Sequence, residues 1–143
     1  MAAGPQPTRT HQTIEVDWIA GSEFEAHRPG GPKIRIDGDA QRAPSPFDVL
    51  LAALATCSAV DVISILQKQR TPATALHIAV EAHRVESTPR RLASAVLHFR
   101  INAPGAAAAK VTRAVELSVT KYCSVRSSLI ADATVTWTIK LES

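Results

Sequence analysis

Two thiols are the side chains in this chain best equipped for chemistry. Cys57 lies in Ala-Thr-Cys-Ser-Ala-Val-Asp61 and Cys123 in Lys121-Tyr-Cys-Ser-Val125, 66 positions later. A thiolate is a nucleophile and a two-electron reductant. An ordinary cysteine, with a pKa of about 8.5, is only about 3% thiolate at pH 7. Turning either residue into a tool therefore needs a nearby cation, which can lower a thiol pKa by about 1 to 3 units. The spacing excludes a Cys-x-x-Cys redox motif, so a disulfide between the two would require tertiary approach. The alternative reading is that each is a free cysteine packing as a small apolar core residue, and the bare residues leave both open.

Around the thiols the charged residues are sparse. Asp61 falls one helical turn after Cys57, where its charge opposes a thiolate unless it turns away or pairs, with Arg126 or Lys68 as candidate partners. His77, His83 and His98 fall on the less apolar faces of two strand-like segments, a pattern of solvated strand histidines rather than of a metal site, which would bring Asp, Glu or Cys at tight spacing. No metal and no cofactor is expected. The chain has no Gly-rich phosphate loop, Walker motif or nucleophile elbow.

The element that must carry Cys57 is a helix. Ser45 suits an N-cap, Pro46 the first helical position and Asp48 the first turn, while Thr71-Pro72 forbids continuation past Arg70. The expected helix runs from Pro46 to Arg70, with Cys57 eleven residues inside and beyond the reach of the helix N-terminus. Seven successive apolar residues, Val49 to Ala55, imply a helix surrounded by protein. That run is far short of the roughly 18 residues of a membrane span, and Asp61 interrupts the rest. Before it, residues 13–18 alternate as a strand, Gly21-Ser22 turns into Glu23–His27, and Lys33–Ile36 alternates again, an antiparallel meander. After it, residues 75–85 and the segment bearing Ala95, Leu97, Phe99 and Ile101 read as a long hairpin. Ala106 to Thr120 reads as a helix, Cys123 to Ile130 as a short helix or turn, and Thr134 to Leu141 as a final strand.

Length and composition fit one α+β domain over residues 11–143 with a short flexible tail over residues 1–10. Only 4% of residues are aromatic, so Leu, Ile, Val and Ala must build the core. The net charge is +3, but Lys and Arg are dispersed, with Arg90-Arg91 the longest run, and no nucleic-acid partner is expected. Two cysteines and an N-terminus without an apolar signal segment point to the reducing cytoplasm.

Three motifs resemble the OsmC/Ohr family of osmotically inducible and organic-hydroperoxide-resistance proteins. Ser45-Pro-Phe-Asp-Val-Leu-Leu-Ala-Ala-Leu-Ala-Thr-Cys57 is similar to the opening of that family's central helix. Asp61-Val-Ile-Ser-Ile-Leu-Gln-Lys-Gln-Arg70 and Lys121-Tyr-Cys-Ser-Val125 are similar to motifs of one OsmC-like branch. The resemblance implies an antiparallel sheet on a long buried central helix and an intertwined homodimer, which would also cover the apolar helix. It implies a thiol peroxidase protecting against oxidative or osmotic stress: Cys57 attacks a small organic hydroperoxide, Cys123 resolves the sulfenic acid as a disulfide, and an external dithiol restores both. It further implies an Arg against the thiolate, drawn from the meander, with Arg28, Arg35 and Arg42 as candidates. The family acid that positions this Arg falls at Phe47. Asp48 is either a shortened substitute or, the favoured reading, a helix-start charge. This departure keeps a second function in view, a non-enzymatic redox sensor or binder of a small apolar ligand.

Overall fold

The computed structural model describes residues 10–142, so all but the last residue of the expected tail lies outside the described residues. The chain forms two compact units, Met1–Leu50 and Leu51–Ser143, with the boundary inside the long helix.

In the first unit, β1 (Glu15–Ala20), β2 (Glu23–His27) and β3 (Lys33–Asp37) form the expected antiparallel meander. Gly21, with φ of +56°, makes the tight β1–β2 turn, and its carbonyl accepts the indole N–H of Trp18 at 2.9 Å. The register places Val16, Trp18, Phe24, Ala26, Ile34 and Ile36 on one face of the sheet. Much of that face is open, with Trp18 67% exposed. After β3, the buried Asp37 organises the loop toward the helix. Its carboxylate accepts the Ser22 hydroxyl and the N–H groups of Asp39, Gln41 and Arg42. The Ser22 hydrogen bond and then these backbone donors hold the carboxyl far below the usual carboxylate range.

The helix α1 (Pro46–Lys68) begins where the sequence places it. The Asp48 N–H donates to Ser45 Oγ at 3.1 Å and the Ser45 N–H donates to Asp48 Oδ2 at 2.9 Å, a reciprocal cap. Its expected burial on every side is not what the chain shows. Leu54, Ala55, Ser58, Val62 and Leu66 form a single buried stripe, while Ala52, Thr56, Val60 and Ile63 stay exposed. The reason is that aliphatic content fixes what a helix can bury, whereas the number of elements around it fixes what it does bury. By length and composition alone α1 could cross a membrane, a property shared by core helices of soluble proteins.

In the second unit β4 (Ala75–Arg84) and β5 (Leu92–Asn102) form the expected antiparallel hairpin, and β6 (Thr134–Glu142) adds to β5. That last pairing is parallel, so the sheet is mixed rather than wholly antiparallel. A parallel neighbour requires a crossover connection, and here the crossover is helical: α2 (Ala108–Leu117), a wide π turn (Ser118–Tyr122) and α3 (Ser124–Ser127). The Ser118 hydroxyl donates to the Ala114 carbonyl at 2.7 Å and the Thr120 hydroxyl to the Glu116 carbonyl at 2.6 Å. Such back-bonding onto carbonyls four residues earlier loosens a helix, which accounts for the α pattern ending sooner than the expected Thr120. Leu54, Val62 and Leu66 of α1, Leu97, Phe99 and Ile101 of β5, and Val111, Val115 and Val119 of the crossover are the buried core.

Leu66→Ala should therefore cost about 2 to 5 kcal/mol in urea unfolding, against less than about 0.5 kcal/mol for the exposed Lys110→Ala. The Asp37 carboxyl has a lower pKa folded than unfolded, so its stabilisation is fully present above about pH 4 and fades as pH falls toward the folded value. Asp37→Asn should consequently lower Tm at pH 7, with the gap to wild type closing below about pH 4.

Candidate active site

The helical crossover brings Cys123 to α1. Its side chain is 2% exposed, with the sulfur 3.9 Å from the Leu54 carbonyl oxygen. The Ser58 side chain, also fully buried, donates to the same Leu54 carbonyl at 3.1 Å and favours ionisation of the Cys123 thiol. Cys123 caps α3, accepting the Arg126 N–H at 3.4 Å. The first amides of a helix have no carbonyl within it to bond. Here those of Val125 and Ser124 favour the Cys57 anion, and the Ser124 hydroxyl stands 3.7 Å from the Cys57 sulfur.

The two cysteines are thus neighbours in space, both free, each influencing the ionisation of the other. Their environments push them apart. For Cys57, half-buried on α1, burial pushes the thiol up, but the Val125 N–H, the Ser124 hydroxyl, the Cys123 thiol and the Ser124 N–H together outweigh it and bring it below its ordinary value. For Cys123 burial is again the leading cause, and with the Cys57 contact opposing its ionisation the thiol is raised. Such a pair favours Cys57 as the anion and Cys123 as the neutral donor to it.

The remaining candidates fall as follows. In the first unit Arg35 and Arg42 both reach Glu23, at 3.2 and 3.8 Å, and the Arg28 carbonyl accepts the Gly31 N–H in the β2–β3 turn. Asp48 is engaged in the helix cap, and Phe47 is half-buried at the family acid's position. Asp61 forms no ion pair with Arg126 or Lys68, and burial raises its carboxyl above the ordinary value. His98 lies between Glu81 (2.9 Å) and Thr138 (2.7 Å) on the outer face of the mixed sheet. Among the described residues no three His, Cys, Asp or Glu side chains are grouped to hold a metal.

An open apolar groove of about 290 Å³ lies in the second unit between Ala52, Ala55, Thr56 and Ala59 of α1 and Leu76, Ile78 and Val80 of β4. At about 100° of helix rotation per residue, Cys57 points well away from this groove. Groove and thiols are separate features. Sequence reasoning missed Ser124, Ser58 and the amides at 124 and 125. The only signal was the serine following each cysteine together with the expected short helix after Tyr122.

A long helix bearing one thiol, with a second thiol delivered to it by a helical crossover, marks an α+β protein of the OsmC type. Residues 37–139 match the family described as OsmC-like protein, and the chain belongs to that family. It is 40% identical to protein YhfA of Escherichia coli K12 over 111 residues, 77% of this chain and 83% of the relative. Its fold is similar to that of an OsmC-like protein from Mycoplasma pneumoniae (TM-score 0.80, 17% identity, 95% of this chain and 100% of the other). It is also similar in fold to the organic hydroperoxide resistance protein OhrB of Bacillus subtilis (TM-score 0.59, 15% identity, 90% and 98% of the two chains).

With reduced protein at pH 7.5, limiting iodoacetamide should label Cys57 well before Cys123, read by peptide mass. Equal labelling would contradict the asymmetry of the pair.

Proposed function

We propose that the protein is a thiol-dependent peroxidase that reduces small organic hydroperoxides, serving oxidative or osmotic stress protection in a reducing cytoplasm. The observation that carries this reading is the pairing of two free cysteines, remote in sequence, of which one is lowered and half-exposed and the other raised and buried. The Cys57 thiolate attacks the outer oxygen of ROOH: an S–O bond forms, the O–O bond breaks, and the departing alkoxide takes a proton from solvent to leave as ROH. Cys57 is then a sulfenic acid, oxidised by two electrons. Cys123 gives up its proton, its sulfur attacks the Cys57 sulfur, and the hydroxyl leaves as water. An external dithiol reduces the resulting disulfide by exchange, becoming a disulfide itself.

Cys57→Ser should abolish consumption of cumene or tert-butyl hydroperoxide. Cys123→Ser should permit about one turnover and then accumulate over-oxidised Cys57, because a sulfenic acid without a partner goes on to sulfinic acid. Peroxide-treated wild type should lose two hydrogens and yield a Cys57–Cys123 crosslink. Both variants behaving as wild type, with no crosslink, would overturn the reading.

A homodimer belongs to this proposal. Ile14, Val16, Trp18 and Ile34 on the meander and Val60 and Ile63 on α1 are large apolar side chains open in the single chain, more than a soluble monomer ordinarily leaves in contiguous faces. Sedimentation at micromolar concentration should give twice the 15.3 kDa chain mass. A second reading, a binder of a small apolar ligand, draws on the α1–β4 groove, whose lining is aliphatic. Saturable binding of an aliphatic probe by a fully reduced protein that consumes no hydroperoxide would favour it over the peroxidase.

A further inference from the structure

We infer that Ser124 is a catalytic hydrogen-bond donor to Cys57, holding its thiolate with a neutral hydroxyl. The inference rests on Cys57 being the attacking thiol of the proposed reaction, and it concerns what activates that thiol. Ser124 Oγ lies 3.7 Å from the Cys57 sulfur, within range of a hydrogen bond to sulfur. The position is fixed from both sides. Cys123, the preceding residue, is buried against the Leu54 carbonyl, and the following turn is capped by the Cys123 sulfur through the Arg126 N–H. Ser124, itself exposed, is tethered beside α1 through its buried neighbour Cys123.

The backbone adds to the hydroxyl. The N–H groups of Val125 and Ser124 also favour the Cys57 anion, and both are uncharged. An anion surrounded by oriented N–H and O–H dipoles is stabilised without a counter-ion, as in an oxyanion site. Ser124 also suits the next state of the sulfur. A hydroxyl both donates and accepts, so Oγ can give its proton to the thiolate and, once an S–O bond has formed, accept the hydrogen of the S–OH group. No atom of Ser124 is consumed in either state.

The test is the pH dependence of Cys57 alkylation by iodoacetamide in the full reduced chain, resolved by peptide mass so that Cys123 does not contribute. Ser124→Ala should move the midpoint upward by about half to one pH unit and slow alkylation at pH 7 by about three- to tenfold, the net size of one ordinary solvent-exposed hydrogen bond. Ser124→Gly should behave likewise, and Ser124→Thr, which keeps the hydroxyl, should restore the wild-type midpoint. Thermal melts of each variant verify that the chain is folded. A midpoint unmoved in Ser124→Ala, or raised equally in Ser124→Thr, would overturn the inference. Its failure is distinguishable from failure of the peroxidase reading: a wild type with a low, Ser124-dependent midpoint that consumes no hydroperoxide removes the enzyme and leaves the activation of Cys57 standing.

Discussion

The contact on which the candidate site depends is the seating of Cys123 against one turn of α1. The sulfur of Cys123 lies at the Leu54 carbonyl, the Ser58 side chain closes on it from the next turn, and Cys57 stands between them on the helix. Because this seat is buried, Cys123 itself is held to within the tolerance of core packing, and it tethers the exposed Ser124 that follows it. The Ser124 hydroxyl beside the Cys57 sulfur and the amides of 124 and 125 that favour its anion are delivered by that seat. The parallel pairing of β6 with β5 is what makes it possible. A hairpin return would have carried the chain back in a few residues, whereas a parallel strand obliges it to traverse the sheet through a helical connection.

Energetics suggest why neutral donors can suffice. An opposing charge at contact lowers a thiol by about 1 to 3 units, and hydrogen bonds to an anion contribute about 1.5 to 3 kcal/mol each before the cost of burial is deducted. At Cys57 burial is the largest single influence and acts against the thiolate, yet the converging donors exceed it. A half-exposed position is a compromise between these terms. Deeper burial would strengthen each hydrogen bond but would penalise the anion more, and full exposure would let water replace the donors.

Much of the fold was legible because its signals are local. The Ser45 and Asp48 cap, the strand alternation of Leu97, Phe99 and Ile101, and the turn at Gly21-Ser22 each depend on neighbours within a few residues. What was not legible depends on partners far along the chain. Alternation in Thr134–Glu142 identifies a strand but carries no information about its direction, so the parallel pairing with β5 was invisible. The apolar run from Val49 to Ala55 announced what could be buried, and only Leu54 and Ala55 of it are. At the site, the cysteines were marked by their residue type. Ser124 was not, because a serine after a cysteine before a short helix reads as a turn residue until the crossover places it on α1.

The opposed shifts of the two thiols also order the proposed chemistry in time. Cys123 is held neutral first by burial and then by its contacts with Cys57, whose negative charge and hydrogen bond both oppose a second anion alongside. That is the right state while Cys57 attacks a peroxide, since a neutral Cys123 donates to the thiolate and does not compete for the substrate. Once Cys57 carries a hydroxyl in place of its charge, the electrostatic part of the restraint on Cys123 is gone and only burial and hydrogen bonding remain. In the proposed reaction the resolving thiol would therefore be released by the same step that creates its target. A pair of ordinary exposed thiols, each ionising independently, would have no such sequence; the asymmetry follows from placing one on the edge of a helix and burying the other beneath it.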